Sequence, residues 1–208
     1  MQRLLLVLVG ARIYGNLEFG VVASDLGIAT LCTCLTGGAL SLDILASWQG
    51  KTRRDIAAYN GFAAIWLAGA FILVGVAMVL LSVVGAISDP AAASGFFIGS
   101  SLWQAQRSKM IAERLYGSLA SIECAIALGT ASGLFVAGHF ATALVYHSFL
   151  LAAASLFTFV RSHERFSKPR ESRGSELIHL AFNGIVSSGR DALLVPASLF
   201  IAGPRKLP

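Results

Sequence analysis

Charged residues are scarce in this chain. They make up 13% of its 208 residues, whereas soluble domains carry about 25%. Hydrophobic residues reach 56%, and the mean hydropathy is +0.73. That much apolar surface cannot be buried within one small core. The composition therefore argues against a soluble enzyme, a disordered chain or a coiled coil, and it predicts an integral membrane protein.

Catalytic and metal-binding motifs are also lacking. Two of the three cysteines, Cys32 and Cys34, lie in one apolar run, which indicates neither a disulfide framework nor a metal site. The sequence has no His-Glu-x-x-His zinc motif, no Gly-x-Ser-x-Gly nucleophile motif and no phosphate-binding glycine loop. Its four histidines include no pair spaced i, i+4. We therefore expect no enzymatic activity, no cofactor and no bound metal.

Apolar runs set the expected fold, since a membrane-spanning helix needs about 20 predominantly apolar residues. The runs cover residues 4–13, 19–45, 61–87, 91–103, 117–138, 141–160 and 177–203. The first run is short and fits a helix that lacks its beginning better than a signal peptide, because no convincing cleavage site follows it. The predicted fold class is all-α, a polytopic membrane helical bundle of six transmembrane helices plus part of a seventh.

Basic residues fall in alternate connections between these runs. They are Lys51, Arg53 and Arg54, then Arg107, Lys109 and Arg114, then Arg161, Arg165, Lys168, Arg170 and Arg173. The connections at 14–18, 88–95 and 138–140 contain no lysine or arginine. By the positive-inside rule the basic connections are cytoplasmic, which predicts a cytoplasmic amino terminus. The same distribution accounts for the net charge of +5 without a nucleic-acid partner.

Glycines recur at helix-contact spacing in the fourth and fifth runs. Gly95 and Gly99 are four residues apart, as are Gly129 and Gly133. Small residues at this spacing let helix backbones approach closely in lipid. We therefore expect these positions to serve helix packing.

Ionisable residues inside the runs are the candidate functional groups, because an unpaired charge at the bilayer centre costs several kcal/mol. They are Arg12, Asp25, Asp43, Glu123, His147, Arg190 and Asp191. Arg12 and Asp43 are close enough to helix ends for their side chains to reach the interface. Asp25 and Glu123 lie deeper, where they either face a water-filled cavity between helices or pair within the packed bundle. A lone histidine such as His147 is more often a packed, hydrogen-bonded residue than a ligand.

The segment Ala11-Arg12-Ile13-Tyr14-Gly15-Asn16-Leu17-Glu18-Phe19-Gly20 resembles a known signature. The signature, Ala-Arg-x-Leu-Gly-Pro-Glu-x-Phe-Gly, lies at the first turn between helices of polysaccharide-precursor flippases. These transporters of O-antigen and exopolysaccharide units belong to the superfamily of the multidrug (MATE-like) exporters. Asn16 stands where the family usually has proline. Independently of the resemblance, Gly15 and Gly20 permit a tight reversal of the chain, and the Glu18 carboxylate suits the start of a helix.

The resemblance implies that lipid-linked oligosaccharide crosses the bacterial inner membrane through a cationic cavity between two helical bundles. It implies substrate binding by Arg12 and Arg190 and ion coupling by Asp25 and Glu123. Residues 1–160 would form the amino-terminal six-helix bundle, 161–176 a basic cytoplasmic loop, and 177–208 the start of a truncated second bundle.

The missing half, or a second copy of the chain, would then complete the cavity, with membrane lipids around it. Two rival interpretations remain open. One is an inert remnant or noncatalytic membrane scaffold, and the other is a multidrug-type exporter of small molecules.

Overall fold

The computed structural model describes residues 2–48, 51–162 and 178–180, and within these ranges the chain is helical, with no β-strand. The elements are α1 (Gln2–Thr33), a π-helical turn (Cys34–Gly38), α2 (Ala39–Ser47), α3 (Arg53–Val83), α4 (Pro90–Ala112), α5 (Tyr116–Val136) and α6 (Phe140–Arg161). The predicted all-α class is confirmed for this part of the chain.

Helix α1 is broken at Gly15, where φ is 77° and ψ is 164°. Only glycine adopts this backbone conformation readily, so the break falls within the polar segment where the sequence predicts a turn. An apolar helix, Leu6–Gly15, precedes the break. After it, one helical path runs from Glu18 through the π-helical turn to Ser47. Gly20 continues this helix, so the break depends on Gly15 and not on Gly20.

Four helices of the described ranges are long and apolar enough to cross a membrane. They are Glu18–Ser47, Asp55–Val83, Tyr116–Val136 and Phe140–Arg161. Large apolar side chains of α3 are exposed, among them Ile72 (70%), Leu73 (72%) and Val83 (80%). Lipid hydrocarbon is the environment that such a surface fits. The helices therefore support a membrane protein, as the composition predicts.

Helix α4 corrects one sequence expectation. The apolar run ends at Trp103, and Arg107 and Lys109 were expected in the following connection. Both instead lie on α4, which continues to Ala112. The helix begins with Pro90 in its first turn and with the Asp89 carboxylate accepting the Ala92 N–H at 2.9 Å, an effective start signal.

Helix α4 is also packed among its neighbours along most of its length. Phe96, Phe97 and Ser101 are at most 1% exposed. At Gly99 the backbones of α4 and α6 meet so closely that an added Cβ would lie 2.5 Å from the carbonyl oxygen of Ser148. The expected packing role of the small residues is confirmed there.

Helix α6 ends at Arg161, one residue past the expected bundle boundary. The expected basic loop 161–176 lies outside the described residues apart from its first two positions. Of the expected second bundle, only 178–180 is described, and it is helical. Arg190 and Asp191 lie outside the described residues.

Candidate functional site

Arg12 lies near the end of the first arm of α1, and its side chain is exposed. Two residues later the Tyr14 hydroxyl contacts the carbonyl oxygens of Leu134 (2.7 Å) and Ala137 (2.9 Å). This contact holds the end of the arm against the end of α5. Within the described residues no hydrogen bond or ion pair joins Arg12 to Asp25 or Glu123, so the structure does not gather these three candidates into one cluster.

Asp25 is fully buried, and it closes the connection between α3 and α4. Its carboxylate accepts the N–H of Ser88 at 3.1 Å and the N–H of Asp89 at 2.9 Å. Backbone N–H donors satisfy a buried carboxylate and carry the positive end of the helix dipole. Of the two environments expected for Asp25, this is the packed one.

Glu18 makes a similar contact seven residues earlier in the chain. Its Oε1 accepts the N–H of Phe140, the first residue of α6, at 2.7 Å, and lies 3.5 Å from the Nδ1 of His139. Seven residues are about two helical turns, so Glu18 and Asp25 lie on the same face of α1. Two acids of α1 therefore bind the starts of two other helices, α6 and α4.

Glu123 lies on α5 and faces the second half of α4. Its Oε1 lies 3.1 Å from the Nε of Arg107 and accepts the indole N–H of Trp103 at 3.3 Å. The Glu123 side chain is 27% exposed and that of Arg107 52% exposed. This candidate is therefore an ion-paired group in a partly open position.

His147 is buried in α6 and hydrogen-bonded, as expected. Its Nδ1 lies 2.7 Å from the Thr130 hydroxyl of α5, and its ring stacks on Phe96 of α4 at 6.0 Å. The histidine thus links three helices. Among the described residues, no group of three or more His, Cys, Asp or Glu side chains is placed to hold a metal ion.

One pair of buried polar groups, Lys109 and Asn60, was not singled out from the sequence as a candidate site. It lies where α2 ends, α3 begins and α4 ends. The Nζ of Lys109 on α4 donates to the Oδ1 of Asn60 on α3 at 2.8 Å, and Lys109 is only 7% exposed. Asp43 on α2 is buried as well, at 6%. Asp43 was expected to reach the interface, but its side chain is enclosed.

A line of polar contacts leads from this cluster along the seam between α4 and the chain from Cys34 to Ser47. The hydroxyls of Thr36 and Ser101 are 3.1 Å apart, and those of Ser41 and Ser108 also bond to each other. The Oε1 of Gln104 lies between these two pairs along α4 and is buried. Ser101, Gln104 and Ser108 follow helical spacing, and this periodicity is the signal from which the seam was predictable.

Comparisons with known proteins add no family to this description. No family model, no curated protein and no solved structure matches the chain. The functional argument therefore depends on the segment from Ala11 to Gly20 and on the geometry given above.

Proposed function

We propose that this chain is a component of a membrane flippase that moves lipid-linked oligosaccharide across the bacterial inner membrane for polysaccharide biosynthesis. The observation that carries the proposal is the segment from Ala11 to Gly20. It resembles the flippase signature, and two of the residues shared with that signature have a clear structural role. Gly15 breaks the helix at φ 77°, and Glu18 binds the start of α6.

The proposed topology has six transmembrane helices, with Leu6–Gly15 and α4 counted among them, and the start of a seventh after the basic loop. The amino terminus is cytoplasmic. The Ser88–Asp89 and Gly138–His139 connections carry no lysine or arginine, whereas Lys51 and Arg114 lie in the alternate connections. This alternation supports the orientation through the positive-inside rule.

In this proposal Arg12 and Arg190 attract the diphosphate of the lipid-linked substrate. The exposure of Arg12 supports that role, because a buried, paired arginine has no capacity for a ligand. Glu123 and Asp25 couple transport to a proton or sodium ion. Protonation of Glu123 would remove the charge that pairs with Arg107 at 3.1 Å and so weaken one contact between α4 and α5. The second half of the cavity comes from a separate half or from a second copy of this chain.

Glycan export in cells that depend on the transporter containing this chain tests the proposal. Arg12→Ala should reduce export at normal expression, while Arg12→Lys should retain most of it because the positive charge remains. Arg114→Ala is the matched control, since Arg114 is also exposed but lies at the opposite membrane face of the proposed topology. Unchanged export by the Arg12→Ala variant would contradict the assignment.

A noncatalytic membrane scaffold is the second candidate function. It is favoured by the complete burial of Asp25, whose carboxylate is occupied by backbone N–H groups. If the chain is a scaffold, Asp25→Asn should change its stability, and the chain should show no transport activity with or without the substitution. A multidrug-type exporter predicts instead that cells expressing the chain extrude a cationic dye. Measuring glycan and dye export together separates the three functions.

A further inference from the structure

One ion pair between the helices of this bundle remains partly exposed. The Oε1 of Glu123 on α5 lies 3.1 Å from the Nε of Arg107 on α4, and the two side chains are 27% and 52% exposed. Other ionisable residues within the described helices are at most 7% exposed, and they include Asp25, Asp43, Lys109 and His147. Ionisable groups inside a membrane face protein or water, because hydrocarbon does not solvate them. The open side of this ion pair therefore needs a cover.

Small side chains surround Glu123 on the exposed side of α5. Ala120 lies three residues before Glu123 and Ala127 four residues after it, which places all three on one face of the helix. Cys124 lies four residues after Ala120, and both are exposed. Small residues let a second helix approach closely in lipid. Large side chains such as Leu73, which is 72% exposed, cover the outside of α3 instead and suit lipid chains.

The ion pair carries both signs of charge, which makes this surface complementary to itself. Two copies of the chain insert in the same orientation, so their ion pairs lie at the same depth. In a two-fold dimer Arg107 of each copy then meets Glu123 of the other. The contact within one chain uses the Nε of Arg107. A guanidinium has further N–H donors in a rigid fork, with which it binds a second carboxylate.

A second copy fits this surface better than an ion or a lipid headgroup does. An anion attracted by Arg107 is repelled by Glu123, which lies 3.1 Å from the same side chain. A cation attracted by Glu123 is repelled by Arg107 in the same way. A second copy brings one charge of each sign to the same depth, so both groups gain an opposite charge. Charge complementarity therefore favours a dimer of this chain.

We propose that this face of α4 and α5 is the interface of a symmetric dimer. Arg107 and Glu123 of the two copies form one ion-pair network, and Ala120 and Cys124 lie where the two α5 helices meet. The inference rests on the proposed function for the use of the dimer, since a second copy is one of the two sources of the other cavity half. Dimer formation is measured without transport. Its failure would leave a separate half as that source, and the proposed transport would stand.

Disulfide crosslinking through the native Cys124 tests the contact. The whole chain is expressed in bacterial membranes and oxidised with copper phenanthroline, and the dimer is measured on a non-reducing gel. We expect a dimer from the native chain and its loss in Cys124→Ser, because Cys32 and Cys34 are half-buried. Leu73→Cys in the Cys124→Ser chain is the matched control, since it places an exposed thiol on α3. No dimer from the native chain, or equal crosslinking through Leu73→Cys, would overturn the proposal.

Charge reversal separates pairing between copies from pairing within one chain. Arg107→Glu makes an acidic copy and Glu123→Arg a basic one, and each alone should lose the crosslinked dimer about tenfold because like charges meet. Expressed together with different tags, the two variants should crosslink to each other, because acidic and basic copies are complementary only across an interface. The double variant Arg107→Glu/Glu123→Arg preserves both kinds of pair and should crosslink as the native chain does. Absence of the mixed dimer, or loss of crosslinking in the double variant, would overturn the interface.

Discussion

The Asp25 Oδ2 accepts the backbone N–H of Asp89 at 2.9 Å, so a fully buried acid of α1 closes the start of α4. Asp89 in turn accepts the N–H of Ala92 through its own carboxylate. Two carboxylates thus accept N–H groups at the start of α4, Asp25 that of the N-cap residue Asp89 and Asp89 that of Ala92 in the first turn, which has no intrahelical partner. The contact explains how an acid is accommodated inside a predominantly apolar helix.

Replacing Asp25 by asparagine should destabilise the protein. The substitution removes the charge and one of the two acceptor oxygens of a fully buried side chain, so an N–H of Ser88 or Asp89 loses its partner, at a cost of about 1–3 kcal/mol. Chemical unfolding in detergent micelles measures this change. Asp89→Asn is the matched control, because asparagine caps a helix as well as aspartate does. Equal stability of the two variants would show that Asp25 does not hold the start of α4.

Gly15→Ala should destabilise the chain although its surroundings are open. No atom lies within 4 Å of an added Cβ at Gly15, but the backbone has φ 77° and ψ 164°. A residue with a side chain pays about 1–3 kcal/mol in this region. Gly20→Ala provides the comparison in the same unfolding measurement. It is equally open but helical, so alanine there should be neutral or slightly stabilising.

Gly99→Ala should separate α4 from α6. The added methyl would meet the backbone carbonyl of Ser148 at 2.5 Å, and backbone cannot move aside as a side chain can. Overpacking of this kind costs about 1–3 kcal/mol. Gly95→Ala, one turn earlier, places its methyl at an ordinary 3.8 Å from the Ser148 side chain and should be tolerated. Comparable unfolding midpoints would contradict the close approach.

Thr130→Val should weaken the link between α5 and α6. The buried Nδ1 of His147 lies 2.7 Å from the Thr130 hydroxyl, and valine keeps the shape of threonine while removing the hydroxyl. Leaving the imidazole nitrogen without this partner costs about 1–3 kcal/mol. Thr130→Ser retains the hydroxyl and should lose much less. The ratio of the two losses in thermal unfolding checks that the hydrogen bond, and not the methyl group, is responsible.

Hydropathy predicted those parts of the fold that are marked by abrupt changes in composition. The polar residues from Tyr14 to Glu18 indicated the break at Gly15, and Asp89-Pro90 indicated the start of α4. The last two and a half turns of α4, after Trp103, were missed because hydropathy sums residue types without regard to the face on which they lie. Lys109 is polar, yet it points at Asn60, which is 49 positions away in the chain.

The candidate site, like the fold, was predicted only in part. Depth inside an apolar run marked Asp25 and Glu123 as candidates and favoured a water-filled cavity over pairing within the bundle, whereas Asp25 lies in the packed environment. It gave no information on which partners they have, because Ser88 and Arg107 are brought to them only by tertiary packing. Asn60 was missed because a neutral amide just before an apolar run resembles any loop residue until its lysine partner is known.

The pairing of Asp25 with a helix that follows 63 residues later has a consequence for biosynthesis. Chains emerge and fold from the amino end, so Asp25 enters the bilayer before Ser88 has been translated. The same holds for Glu18, whose partner Phe140 follows 122 residues later. Early in insertion, both carboxylates therefore need temporary hydrogen-bond partners, either water or groups of another protein. These partners become available only when α4 and then α6 begin, so the first helix reaches its final polar contacts late in synthesis.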